Sequence, residues 1–512
     1  MDNSNARTTR SSSLRDLLKR NRQTASTFLA TLLGCIVLLP LLGHKPLTNW
    51  DEGIYAEISR EMLSLGALVP HWNYRPWFEK PPLMLWITAA FFKVFGVTEF
   101  WARACSALSG VGIVALLHAW LARKDILAAW LSTGILLGTF GFLHVCRVGE
   151  MDVLLSLGCC IALCGLTDIQ DREDRQLSGW YLFWAGLAIA LMTKGAAGIV
   201  LIIAALLFAA LERWNTTRLG KHCWLGLILF LALVLPWHLY MFQRFGASFL
   251  TDYLGFHVLA RATQQIEEHN THWWYYAWVL LISAAPFALL YPFALVNSFR
   301  GKKLRAWAIF VVVVLVFFTA VQTRLPHYIA PAYPALALLT SVFLANGLRE
   351  LQQRRRQSLT SFWTTVTMAA TSVCIASALL TSGPRRKLHQ AKVGNDIVYA
   401  EKESIQLLRD VFSRPQPVQG PLLVWWEGNA RSIATSVFYA RRPVQQIQLQ
   451  FRPIDVLTDK YLFQPQTLED AVAPGPRIIL LDKYLVQQIP SDFSYRQIVS
   501  GRSMEVGVIA RN

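Results

Sequence analysis

Long apolar runs recur along this chain, most of them near the roughly 18–20 residues that an α-helix needs to cross the hydrocarbon core of a bilayer. The first covers 24–43, and others follow at about 103–121, 126–146, 150–167, 180–194, 196–211, 222–241, 275–296, 304–321, 328–347 and 361–381. Lipid offers no hydrogen-bond partners, so a spanning segment has to satisfy its own backbone, and runs of this length fold as helices. The pattern predicts an all-α polytopic membrane protein with about 11 transmembrane helices.

Charge orients those helices. The 512 residues carry 49 Lys and Arg against 32 Asp and Glu, a formal balance of +17. In a soluble chain that excess would suggest nucleic acid, but no zinc-finger or similar module is present, and the cations cluster in short loops between apolar runs, as the positive-inside rule requires. The stretch 83–97 is apolar, short and interrupted by Lys93, so it either crosses or lies along the surface. If it stays at the outer surface, five short loops bring fifteen basic residues inside: Arg123 and Lys124; Arg172 and Arg175; Arg213, Arg218 and Lys221; Arg300, Lys302, Lys303 and Arg305; Arg349, Arg354, Arg355 and Arg356. A full crossing would move all fifteen outside. We therefore read 83–97 as juxtamembrane, 1–23 as a basic cytoplasmic tail and 24–43 as an uncleaved anchor.

This topology divides the chain into the tail (1–23), a membrane domain (24–381) with outer loops at 44–102 and 242–274, and a C-terminal segment (385–512) on the outer side. In that last segment, helix-like 396–412 and 429–440, the apolar Leu422–Trp426 and strand-like 444–450, 477–482 and 505–510 predict a small extracytoplasmic α/β domain. It contains no Gly-rich phosphate loop or nucleophilic triad and is assigned no catalytic role. All eight cysteines lie in or beside apolar runs, none after Cys374, which argues against a disulfide framework or a thiolate metal site.

The same topology gathers unusual polar residues on one side: the first loop, Arg147–Asp152, Thr193–Gly195, the loop 242–274 and Gln322–Tyr328. Ionisable groups at membrane depth are costly and are functional candidates. The first loop opens with Asn49–Glu57 and returns to the membrane at Trp77–Leu83. Residues 52–66 read as an amphipathic helix in the interface, with Ile54, Ile58, Met62 and Leu65 on one stripe and Glu57, Arg60 and Glu61 on other faces. Asp51 has two readings, a helix N-cap or a reactive carboxylate, and Lys80 likewise two, a snorkelling anchor or a ligand for anionic substrate.

The ordered runs Trp50–Met62, Phe78–Leu83, Phe95–Arg103, Leu191–Gly195, Trp273–Tyr276 and Arg324–Pro334 give the chain a family resemblance over about residues 45–345. It resembles the polyprenyl-phosphate sugar transferases of the aminoarabinose lipid A transferase and protein O-mannosyltransferase superfamily. The resemblance implies a GT-C fold, a lipid-phosphate-linked sugar donor, transfer on the periplasmic side with inversion, and no nucleotide-sugar site. It places Asp51 at the reaction centre, with Glu52 beside it and Tyr55 one turn on. It also implies that Lys80 contacts the donor phosphate, with Arg261 as its partner, and that a second acidic position falls at Glu150 or Asp152. Trp77 and Phe78 stand where an aromatic, often Tyr, is expected; Lys194, His327 and Tyr328 are further outer-face candidates.

The chemistry is coherent on its own terms. Departure of a polyprenyl phosphate develops negative charge, which Lys80 and Arg261 can stabilise in a low-dielectric site. Asp51 can act as base toward a hydroxyl acceptor; toward an already ionised lipid A phosphate it would orient groups or hold a cation. No dedicated metal signature occurs, although carboxylates at a phosphate site are compatible with a divalent cation. The partners are then the polyprenyl-linked donor and a glycolipid, protein or glycan acceptor, at the inner membrane of a bacterium. A membrane transporter or lipid flippase is the competing class; such proteins often carry internal repeats, and none is visible here.

Overall fold

The computed structural model describes residues 3–48, 51–171, 176–214, 220–253, 272–322, 324–355, 395–416, 418–425, 433–446 and 467–512. Arg261 and the candidate span 361–381 lie outside the described residues. The chain is mostly helical and divides into two compact units. One comprises Met1–Leu42, Phe78–Met84 and Arg103–Thr381; the other comprises Gly43–Trp77, Leu85–Ala102 and Ser382–Asn512.

The first unit is built from apolar helices: α1 (Asn3–Leu38), most of α4 (Glu99–Ala122), α5 (Ile126–Gly138), α6 (Phe140–Cys146), α7 (Asp152–Asp171), α8 (Gln176–Lys194), α9 (Ile199–Leu211), α10 (Lys221–Leu250), α11 (Tyr275–Ser283), α12 (Tyr291–Arg300), α13 (Arg305–Ala320) and α14 (Ala332–Arg355). Among the described residues four helices are long and apolar enough to cross a membrane, Glu99–Ala122, Asp152–Gln170, Lys221–Tyr253 and Lys302–Ala320. A fifth is added if α5 and α6, bent by 70°, form one span. The expected span at 275–296 is divided into α11, a 3₁₀ turn at Phe287–Leu290 and α12. The protein is an integral membrane protein. Its outer wall is apolar in the way lipid requires: Phe28 and Ile36 on α1 are 67% and 59% exposed, and Trp224 and Ile228 on α10 are 57% and 62% exposed.

Close helix approach comes from small residues, as is usual in membranes. Helices α7 and α8 run antiparallel along a glycine seam. A Cβ built on Gly165 would come 2.5 Å from the Gly179 carbonyl, and one on Gly158 would come 2.8 Å from the Gly186 carbonyl. That seam brings the start of α7 to the end of α8. Some polar groups are paired across helices: His118 lies between Ser26 Oγ (2.8 Å) and Thr133 Oγ1 (2.9 Å), and Arg305 donates to Glu212.

The second unit contains α2 (Asp51–Leu65), the hairpin β1–β2 (His71–Trp72 and Arg75–Pro76), most of α3 (Leu83–Phe95), α15 (Asn395–Phe412), α16 (Ile433–Ala440), α17 (Leu468–Val472) and a five-stranded sheet. Its strands are β3 (Leu422–Trp425), β4 (Val444–Gln446), β5 (Arg477–Asp482), β6 (Phe493–Ser500) and β7 (Met504–Arg511), ordered β4-β3-β5-β7-β6. β3 is parallel to both neighbours, whereas β5–β7 and β6–β7 are antiparallel. Leu423, Trp425, Ile479, Leu481 and Ile509 pack with α17 in the core.

Helix α2 forms where the sequence places it, but its charged residues are not on a solvent face. Glu57, Arg60 and Glu61 are all buried along with Tyr55, Ile58 and Met62. The reason is pairing. Arg60 donates from Nε and Nη2 to both oxygens of Glu57 (2.7 and 2.6 Å) and from Nη2 to the Tyr74 hydroxyl (2.9 Å). Glu61 accepts from the Tyr74 backbone N–H at 2.6 Å, and its other oxygen is buried without a hydrogen-bond partner among the described residues. Gly53 allows α2 to approach the α16 residue Thr435, whose Cγ2 would lie 3.3 Å from an added Cβ.

One arginine facing two carboxylates sets the protonation of Glu61. Burial, then the Glu57 charge, push its pKa up to about 9. Because the folded form holds a proton that the unfolded chain releases near pH 4.5, stability falls as pH rises between those values, by up to about 1.4 kcal/mol per pH unit. Above about pH 9 the loss is complete. Glu61→Gln should flatten the dependence and raise the unfolding temperature at pH 8 in detergent; a variant as pH-sensitive as the wild type would exclude Glu61 as the source.

Candidate active site

Five sequence candidates meet in the first unit. Asp152 opens α7 and Lys194 closes α8. The antiparallel glycine seam puts the two at the same end, where each also has the favourable sign for its helix dipole. Lys194 Nζ donates to both Asp152 oxygens, at 2.7 and 2.9 Å. His327 and Tyr328 come from the 3₁₀ turn Pro326–Ile329. His327 Nδ1 is 3.8 Å from a Glu150 oxygen, and Lys194 Nζ is 5.1 Å from the centroid of the Tyr328 ring.

The acidic segment is held by its backbone and by Arg147. Ser106 Oγ on α4 donates to the Glu150 carbonyl at 2.7 Å. Arg147 donates to the carbonyls of Val37, Leu38 and Pro40, at 3.3, 2.9 and 2.7 Å, and so ties the segment to the end of α1. Sequence reasoning left two positions open, and both Glu150 and Asp152 are in the cluster. One ligand atom each of Glu150, Asp152 and His327 lie within 4.8 Å of one another, a spacing at which the three could hold a metal ion. Two carboxylates and an imidazole are acceptable ligands for a divalent ion, which would compete with Lys194 for Asp152.

The Lys194–Asp152 pair is nearly dry, with side-chain exposures of 13% and 4%. Breaking a buried pair strands the remaining charge, at a typical cost of about 3–5 kcal/mol, whereas replacing both partners is far milder. Lys194→Met should therefore destabilise the protein strongly, and Asp152→Asn with Lys194→Met should recover most of the loss. Denaturation of the wild type and the two variants in detergent measures this; equal stability of single and double variants would contradict it.

Phe78 joins this unit through aromatic packing. Its ring is 4.8 Å from Phe245 and 5.9 Å from Phe249, and Phe249 stacks on Tyr253 at 5.2 Å. The Tyr253 hydroxyl in turn abuts Gly195, directly after Lys194, where φ is +46° and a side chain would meet it. An aromatic wall thus runs from the Phe78–Lys80 segment to the acidic cluster. Lys80 itself is half-buried.

The remaining candidates lie in the second unit. Helix α2 begins at Asp51, which is half-buried and makes no hydrogen bond among the described residues, so no N-capping bond by its carboxylate is seen there. Glu52 does the local structural work: it is 1% exposed and accepts from Thr48 N (2.6 Å) and Thr48 Oγ1 (2.8 Å). Tyr55 and Trp77 are buried edge to face at 6.2 Å. The paired Glu57, Arg60, Glu61 and Tyr74 were not singled out by sequence. The i,i+3 spacing of Glu57 and Arg60 was a signal for their pairing, whereas the long-range Tyr74 contact left none.

Residues 79–240 match the family described as dolichyl-phosphate-mannose-protein mannosyltransferase. Among curated proteins, an undecaprenyl phosphate-alpha-4-amino-4-deoxy-L-arabinose arabinosyl transferase of Enterobacter sp. (strain 638) is 29% identical over 377 residues, covering 71% of this chain and 66% of that protein. One of the same name from Pseudomonas fluorescens (strain Pf0-1) is 33% identical over 319 residues, covering 59% and 54%. The chain spans from 54% to 66% of the length of these arabinosyl transferases. Among solved structures, ArnT from Cupriavidus metallidurans bound to undecaprenyl phosphate superposes with a TM-score of 0.71 at 20% identity, covering 95% of this chain and 98% of that one. The chain thus shares the fold of that ArnT and is similar, over part of its length, to the mannosyltransferase family and to the arabinosyl transferases.

Proposed function

We propose that the protein is an integral-membrane glycosyltransferase that moves a sugar from a polyprenyl-phosphate carrier to an envelope acceptor, on the outer face of the inner membrane and with inversion. The observation that carries this is the convergence of Glu150, Asp152, Lys194, His327 and Tyr328 from three separate chain segments into one polar cluster of the membrane unit. Such a cluster suits a phosphate leaving group, because its developing charge must be met by groups already in place.

In this reading Lys80 and Arg261 hold the donor phosphate, and Lys194, fixed by Asp152, supplies a third positive charge near it. The Phe78–Tyr253 wall offers apolar surface to the lipid or the sugar. Asp51 acts on the acceptor, as a base where that acceptor is a hydroxyl. Where a divalent cation binds, Glu150, Asp152 and His327 are its ligands, and it adds positive charge for the phosphate. The tail 1–23 is cytoplasmic, 24–381 is the catalytic membrane domain and 385–512 is extracytoplasmic. The acceptor is a lipid A-like glycolipid, a protein or a polysaccharide.

Mass spectrometry of envelope glycolipids and glycoproteins tests this in a strain lacking the protein, complemented with wild type or Asp152→Asn. One sugar should disappear from one acceptor and return only with the wild type. Identical glycan masses in all strains would overturn the proposal.

A further inference from the structure

The sheet unit carries a shallow, open cleft of roughly 390 Å³ lined by Tyr74, Gln419, Gly420, Arg441 and Arg442, with Pro421 and Pro443 at its walls. Its parts are held in place. The hairpin tip Asn73–Tyr74 has φ of 52° and 63° at its two residues, as a tight β-hairpin turn demands. Asn73 is anchored both ways to Val444, accepting from its N–H (3.0 Å) and donating to its carbonyl (3.4 Å). The Tyr74 hydroxyl is held by Arg60 at 2.9 Å.

Arginine surrounds the opposite edge. Arg442 stacks on Phe412 at 4.5 Å and donates to the carbonyls of Val418 (3.1 Å) and Gly420 (3.3 Å). Arg477 donates to the Gln419 carbonyl at 3.3 Å, and its Nε is buried without a hydrogen-bond partner among the described residues. Gly420 has φ of +102°, and a Cβ there would be 2.9 Å from the Arg477 guanidinium carbon. Arg441 occupies the left-handed position closing α16, with φ of 53° and its N–H on the Val437 carbonyl at 3.0 Å. Glycine is the usual residue there, so the chain accepts backbone strain to keep a cation at the cleft mouth. Helix-dipole attraction offsets part of that strain but does not account for the neighbouring guanidinium groups. Among the described residues no carboxylate forms an ion pair with Arg441, Arg442 or Arg477.

We propose that this cleft binds a phosphate-type oxyanion, held by the planar donors of Arg441 and Arg442, which match phosphate geometry, and by the Tyr74 hydroxyl. The phosphate belongs either to a membrane lipid headgroup or to a soluble or glycan-borne group. The site is independent of the transfer reaction proposed above, so either reading can fail alone.

The test titrates inorganic pyrophosphate into full-length protein in zwitterionic nanodiscs by calorimetry. A Lys80→Ala background suppresses binding at the donor phosphate site. Binding should be weakened about tenfold by Arg441→Gln, whose exposed side chain leaves the fold intact, and similarly by Arg442→Gln. Repeating the titration in nanodiscs containing phosphatidylglycerol separates the sources: weaker apparent pyrophosphate affinity there, lost in Arg441→Gln, assigns the cleft to lipid headgroups, whereas unchanged affinity assigns it to soluble or glycan phosphate. No pyrophosphate binding in zwitterionic nanodiscs, or equal binding by Lys80→Ala with and without Arg441→Gln, would overturn the proposal.

Discussion

Asp51→Asn should lower turnover on a hydroxyl acceptor about 10²–10⁴-fold, the usual contribution of a positioned general base, while leaving donor binding nearly unchanged. The substitution keeps the shape of the side chain and removes its basicity. It is distinct from damage to helix α2, because the Asp51 side chain makes no hydrogen bond among the described residues and the local side-chain bonds of the helix start belong to Glu52 and Thr48. The size of the loss also reports on the acceptor. A phosphate acceptor is already ionised and needs no base, so the same variant would then lose much less. Rates of purified wild type and variant at saturating donor measure the effect; a full-rate variant would remove Asp51 from the chemistry.

Lys80→Ala should cost about 10²–10³ in kcat, comparable to removing one donor from a preorganised oxyanion site. The half-buried position of Lys80 matters here, because a charge shielded from water acts more strongly than one on the surface. Lys80→Arg should retain part of the activity, since it keeps the charge and changes only the donor geometry. Arg261→Ala should fall in the same range, and the double variant should lose less than the product of the two, as expected for residues acting on one phosphate. Single-turnover rates with a labelled donor are the measurement. A Lys80→Ala enzyme whose only defect is weaker donor binding would assign Lys80 to uniform binding instead.

The membrane character of the chain was legible because lipid enforces it: apolar runs and loop cations are read directly from composition along the sequence. The pairing of Asp152 with Lys194 was not, since nothing local links positions 42 residues apart; it depends on the Gly158, Gly165, Gly179 and Gly186 seam, visible only once α7 and α8 are antiparallel. Helix α2 shows the opposite case. Its limits followed from periodicity, yet its charged residues were read only as lying on faces other than the apolar stripe, because periodicity reports apolar positions and cannot anticipate that Arg60, Glu57 and Tyr74 satisfy one another in a buried layer. In the C-terminal segment, short apolar runs at 422–426 and 477–482 coincide with β3 and β5, whereas β6 (Phe493–Ser500) went unmarked because its pattern is largely exposed. The cluster residues Lys194, His327 and Tyr328 were found as polar residues at a predicted membrane boundary, and their mutual distances came only from the fold.

The most direct measurement gives purified, reconstituted protein a radiolabelled polyprenyl-phosphate sugar together with native envelope lipid, and in parallel the matching nucleotide sugar. Label should pass from the polyprenyl carrier to an acceptor, with release of polyprenyl phosphate, and should not pass from the nucleotide sugar. Transfer from the nucleotide sugar alone, or movement of intact labelled carrier across the bilayer with no acceptor labelled, would contradict the account.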